Sequence, residues 1–182
     1  MVWGYTDLPN PCEGMKGYSL VKRTVYITNE VFAAVYVHAS EPLRNAMDLA
    51  YLTGQRPADT LRTTAHDIID WHLIITQEKT KQPLRIIIRG ALAESLERIA
   101  ARKETHSMVT AALLTNTHGK RLTAAVLRNH FDDARTNAAK ALPQLAQAIK
   151  AFRFYDLLRR RRTTPATTVA TRQHVICWGM TA

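Results

Sequence analysis

Arg56 lies between Gly54 and Pro57, with Asp59 three positions further on. Glycine ends a helix in the left-handed conformation and proline opens one, so this arginine is held at a rigid helix-to-helix junction. A guanidinium fork in such a place can grip a phosphate through two hydrogen bonds and stabilise charge on a pentavalent phosphorus. Asp59, one helical turn on, is placed to orient it. The same residues also fit a purely structural arginine–aspartate pair at a helix start. A second candidate is Lys79, within Gln77-Glu78-Lys79-Thr80-Lys81. A lysine at the tip of a rigid arm combines a mobile amine with a tunable pKa, which suits proton donation. A solvated turn lysine is the ordinary alternative, and Lys81 is the next choice after Lys79. The third is Tyr155, in Phe152-Arg153-Phe154-Tyr155-Asp156-Leu157. It either lines a site or packs as plain core among the surrounding Phe152, Phe154 and Leu157.

The elements that must hold these side chains are mostly helical. Arg23 to Ile27 is expected to form a short strand, and Thr28 caps a helix from Asn29 to His38. Pro42 opens a second helix with Leu43, Met47, Ala50 and Tyr51 at helical spacing, and Gly54 stops it. Pro57 starts a short helix running to about Thr63. Ile68 to Thr76 and Leu84 to Ile88 are rich in β-branched residues around a polar Gln77 to Pro83, which reads as a hairpin or part of a three-stranded sheet. A helix from about Leu92 to Arg102 follows, then a turn at Asn116 to Lys120. Thr123 caps a helix that turns Leu127, Phe131 and Ala134 inward and ends before Pro143. Gln144 to Lys150 forms one more short helix. The fold class is therefore mainly α with a small antiparallel β-sheet, and that alone names no function.

Composition narrows the classes. The chain of 182 residues carries a net charge of +10, and 46% of its residues are hydrophobic. That length suits one domain with a sizeable core. No apolar run is long enough to cross a bilayer and no signal pattern opens the chain, so a cytoplasmic protein without membrane contact is expected. Residues 153–182 hold six arginines against the single acid Asp156, which is half of the net charge. The remainder is only mildly basic, so charge supports a polyanionic partner weakly. Cys12 and Cys177 are read as reduced thiols. The histidines (His38, His66, His72, His106, His118, His130 and His174) follow no metal-ligand pattern, so no metal and no cofactor are expected.

Thr53-Gly54-Gln55-Arg56-Pro57-Ala58-Asp59, the hairpin Glu78-Lys79-Thr80 and Phe152 to Leu157 occur in an order that resembles the catalytic domain of the tyrosine recombinases of phage-integrase type. The resemblance covers residues from about 20 to 157. It implies a tyrosine-recombinase-like fold, duplex DNA as partner, a metal-free phosphoryl transfer and a tetramer on DNA for intact relatives. By the same resemblance Arg56 is a catalytic arginine oriented by Asp59. Lys79 protonates the departing 5′ oxygen, and Lys81 and Arg85 bind DNA. Tyr155 stands at a position that is usually histidine. The arginine expected three places later is replaced by Leu158, and Arg159 comes one residue late, a rotation of roughly 100° on a helix.

The family's nucleophilic tyrosine follows that segment, but no tyrosine follows Tyr155 here. Tyr155 itself comes too early to be that nucleophile. The resemblance thus implies an integrase domain incomplete at its C-terminus and inactive on its own. The alternatives are a non-catalytic DNA-binding remnant or, if the matches at Arg56 and Lys79 are coincidence, a helical protein-interaction module. Residues 1–20 are expected to be a linker or the remnant of an N-terminal core-binding domain, and 21–158 the integrase-like domain. Residues 159–182 form an atypical, irregular basic tail. Its Arg-, Thr- and Ala-rich composition reads as the product of a frameshift near Leu157 or Leu158, or as a phosphate-binding tail.

Overall fold

The computed structural model describes residues 14, 15, 17, 18, 23, 25–106 and 110–163, with the side chains of Arg159 and residues 161–163 excepted. Most of the expected N-terminal linker and everything after Thr163 lie outside the described residues.

Helix α1 (Asn29–Val37) begins where the Thr28 hydroxyl accepts the Val31 N–H at 3.3 Å. Such a cap satisfies a backbone donor that the first turn leaves unpaired. Helix α2 (Glu41–Thr53) carries Pro42 in its first turn and ends at Gly54 with φ 67°. A Cβ at Gly54 would strain that left-handed position, which lets the chain turn sharply toward Arg56. Helix α3 (Pro57–Arg62) follows at once. Leu43, Ala46, Met47, Leu49 and Ala50 of α2 are all buried. Helix α2 is the central element and packs against α3, α4 (Ala91–Glu104), α5 (Ala124–Ala141) and α7 (Asp156–Thr163). Thr123 caps α5 by accepting the Val126 N–H, and Leu127, Phe131, Ala134 and Ala138 form its inner face. Helix α6 (Ala146–Ala151) folds back onto α5 after a short 3-10 turn at Pro143–Leu145.

The sheet is an antiparallel meander in the order β1 (Ile68–Ile69), β2 (His72–Thr76), β3 (Pro83–Ile87). The apolar run read as one strand from Ile68 to Thr76 is broken at Asp70 and Trp71, with φ 47° and 60°. Two successive positive φ values make a turn whose twist matches a tight hairpin. Leu73 and Ile75 face the core, while Ile74 and Arg85 pair on the opposite face.

Two expectations fail in the same region. Residues 23 and 25–27 form no strand, because the carbonyls of Ile27 and Thr28 accept the Arg160 guanidinium at 2.9 and 2.8 Å rather than a neighbouring strand. The chain also does not become irregular after Leu158: α7 continues to Thr163. Arg160 is buried, bonds Asn29 Oδ1 at 2.7 Å and lies 4.6 Å from the Phe32 ring centroid. Its two terminal nitrogens have three carbonyl-type acceptors and its charge lies over an aromatic face, which offsets the cost of burying a cation. Among the described residues no helix is long and apolar enough to cross a membrane.

Candidate functional site

Arg56 is the N-cap of α3, with extended backbone at φ −65°, ψ 152°. Its carbonyl accepts the Thr60 N–H at 2.9 Å and the Thr60 hydroxyl at 3.0 Å, so its backbone is fixed by the helix it precedes. Its side chain is half-buried and makes no hydrogen bond or ion pair among the described residues. Such a guanidinium, anchored at the backbone and uncommitted at its head, is available to an anion.

No hydrogen bond or ion pair among the described residues joins Asp59 to the Arg56 guanidinium. The carboxylate is 3% exposed, and its Oδ1 accepts the backbone N–H of Glu78 at 3.0 Å. The bond of this carboxylate goes to the Glu78 backbone rather than to the guanidinium expected from spacing. Asp59 instead ties α3 to the turn between β2 and β3. A parallel tie runs beside it: Gln77 donates its side-chain amide to Gln55 Oε1 at 2.9 Å, and buried Gln55 donates to the Thr53 carbonyl at 3.1 Å. Arg62 and Glu78 add an ion pair at 3.4 Å, but both side chains are more than half exposed and it contributes little.

The turn so anchored carries Lys79. The Gln77 N–H donates to the Gln82 carbonyl at 3.1 Å and the Lys81 N–H to the Gln77 carbonyl at 2.8 Å, while the Thr80 hydroxyl donates to Gln77 Oε1 at 2.8 Å. Lys79 and Lys81 are both exposed, and Lys81 adopts φ 55°. A non-glycine residue there is strained by its Cβ. Arg85 is exposed on β3. Arg56 and Lys79, 23 residues apart in the chain, are thus brought onto one joint by Gln55–Gln77 and Asp59–Glu78.

Tyr155 lies in the turn between α6 and α7 and is 50% exposed. This decides against core packing, which belongs to its neighbours: the Phe152 and Phe154 rings sit edge-on to Phe131 at 5.1 and 5.6 Å. No hydrogen bond among the described residues joins Tyr155 to Arg56 or Lys79. Helix α7 does pack against α2, the helix that delivers Arg56. Leu158, at the position where the resemblance expects arginine, is buried, and the Arg159 side chain lies outside the described residues. Arg160, hidden in an arginine run, is a structural residue that composition gave no means of separating from its neighbours. Among the described residues no group of three or more His, Cys, Asp or Glu side chains is placed to hold a metal ion.

Comparison with known proteins fits this geometry. The sequence model described as the phage integrase family matches residues 26–160. The integrase of Escherichia phage HK022 is 36% identical over 128 residues, covering 64% of this chain and 34% of that protein. The chain therefore spans about a third of the length of this curated relative. Among solved structures, the lambda integrase catalytic core is similar with a TM-score of 0.60 at 21% identity, covering 81% of this chain and 90% of that one. A lambda integrase dimer bound to a COC′ core site gives a TM-score of 0.63 at 21% identity, covering 87% of this chain and 45% of that one. A lambda integrase tetramer bound to a Holliday junction gives 0.61 at 21% identity, with 85% and 47% covered.

Proposed function

Because the chain belongs to the phage integrase family, we propose that it is a DNA-recombination catalytic unit that holds the scissile phosphate of duplex DNA with Arg56 and Lys79, and that alone it stops short of strand cleavage. The observation that carries the reading is the joint between α3 and the β2–β3 turn, which presents an uncommitted arginine and a lysine together.

The chemistry follows from these groups. In a complete site a tyrosine oxygen attacks phosphorus, a phosphorus–oxygen bond forms to the protein, and the bond to the 5′ oxygen breaks. Arg56 would neutralise the charge that builds on the non-bridging oxygens, which is where a preorganised guanidinium contributes most. Lys79, at the tip of its turn, would give the departing 5′ oxygen its proton. Exposed Tyr155 would donate a hydrogen bond to the same phosphate, and Lys81 and Arg85 would contact flanking phosphates. The 182 residues contain no tyrosine after Tyr155, and we assign the nucleophile's role to none of them.

A nicked duplex that traps the covalent intermediate tests this. Bound DNA with no protein–DNA adduct in denaturing gels is expected. An adduct that disappears in Tyr155→Phe would identify Tyr155 as a nucleophile and overturn the proposal.

A further inference from the structure

We propose that Arg23 is a positioning residue for Tyr155, acting through Asp156. This rests on the reading that Tyr155 touches the DNA phosphate. Arg23 and Asp156 are 133 positions apart, and the guanidinium meets the carboxylate along two parallel bonds, Nε to Oδ1 at 3.0 Å and Nη2 to Oδ2 at 2.8 Å. The Arg23 Nη2 also donates to the Ala151 carbonyl, at the end of α6. One side chain therefore clamps the last residue of α6 and the first residue of α7, and the segment it closes is the one that displays Tyr155.

Asp156 is 1% exposed, and its Oδ2 accepts the Arg153 N–H at 2.9 Å as well. The carboxylate thus fixes the turn from inside, while the Asp156 N–H returns to the Arg153 carbonyl at 2.9 Å. On the other side Arg135 donates to the carbonyls of Lys150 and Phe152, both at 2.9 Å. Phe152 and Phe154 are pinned against Phe131, which leaves Arg153 and Tyr155 as the exposed members of the segment. A buried carboxylate needs its cation, and a bidentate fork sets direction as well as charge. The direction set here is that of the backbone carrying the Tyr155 phenol. Because Arg23 comes before the first helix, the approach to the domain and the turn at its far end are held as one unit.

The test is a double-mutant cycle on the affinity for one duplex DNA, using wild type, Tyr155→Phe, Arg23→Gln and the double variant, with a denaturant midpoint recorded for each. Tyr155→Phe is expected to weaken binding several-fold and Arg23→Gln by a similar factor. The double variant should bind no more weakly than the poorer single variant, since both remove one contact. Arg23→Lys keeps a cation beside Asp156 and is the variant to use if Arg23→Gln does not fold. It should lower affinity in the wild-type background and not in the Tyr155→Phe background. Additive losses would show that Arg23 acts on its own and would overturn the positioning role alone. A silent Tyr155→Phe would overturn the phosphate contact first and the positioning role with it.

Discussion

The carboxylate of Asp59 accepts the backbone N–H of Glu78 at 3.0 Å, so the start of the helix that holds Arg56 and the turn that holds Lys79 are one mechanical unit. Arg56 and Lys79 are both cations, so nothing in their own charges draws them together. Their relative placement comes from the two segments that flank them.

Removing that tie should cost stability. Asp59→Ala removes the acceptor of the Glu78 N–H and is expected to cost about 0.5–1.5 kcal/mol in urea unfolding. Asp59→Asn keeps an acceptor oxygen and should cost clearly less. Hydrogen exchange at the Glu78 amide reads the same bond directly: it should speed up in Asp59→Ala far more than in Asp59→Asn. Equal exchange in both variants would show that the tie does not hold the turn.

Lys81 separates strain from contact. At φ 55° its Cβ is unfavourable, so Lys81→Gly should leave stability unchanged or raise it by up to about 1 kcal/mol, while Lys81→Val lowers it. If Lys81 meets a DNA phosphate, Lys81→Gly should also reduce the salt dependence of binding by about one phosphate contact. A glycine variant that is less stable would refute the strain, and one with an unchanged salt slope would refute the contact.

Arg160→Leu should be severely destabilising, by about 2–4 kcal/mol, because the carbonyls of Ile27 and Thr28 and the Asn29 side chain lose a charged donor. Denaturant titration measures it. A midpoint like that of wild type would mean that α7 is not docked on α1 through this residue.

The pH dependence has a specific source in Tyr36, whose hydroxyl donates to Asp48 at 2.7 Å. Burial, with the Asp48 carboxylate adding to it, raises the phenol above its ordinary range. Because the folded-state pKa exceeds the unfolded one, this group stabilises the fold below the unfolded phenol pKa of about 10, and that contribution is lost as pH climbs toward the folded value. Burial raises Asp48 in the same direction, so its contribution also falls as pH rises, starting from the ordinary carboxylate range. Melting curves between about pH 9 and 11 should fall less steeply in Tyr36→Phe than in wild type. Parallel curves would remove Tyr36 as the cause.

The parts of this fold that the sequence reveals are those decided locally. Thr28, Gly54, Pro57 and Thr123 mark helix ends through backbone geometry within a few residues, and their helices form where expected. Partners far away in the chain were not legible. Residues 23–27 look like a strand until Arg160 takes the carbonyls of Ile27 and Thr28. The spacing of Arg56 and Asp59 suggests a pair, but the Asp59 carboxylate takes the backbone N–H of Glu78, a partner 19 residues away that no local pattern announces. Gln55–Gln77 and Arg23–Asp156 carry no local signal at all. Tyr155 was ambiguous because alternating aromatics fit a core and a site equally, and only its exposure separates the two.

The most direct test of the account is the salt dependence of duplex DNA binding by wild type, Arg56→Ala and Lys79→Ala. Each variant is expected to bind on the order of tenfold more weakly, with a salt slope reduced by about one phosphate contact. Affinity unchanged in both, but lost in a variant with Arg161 and Arg162 replaced by alanine, would mean that the arginine run is what binds DNA and that the joint between α3 and the β2–β3 turn is not a phosphate site.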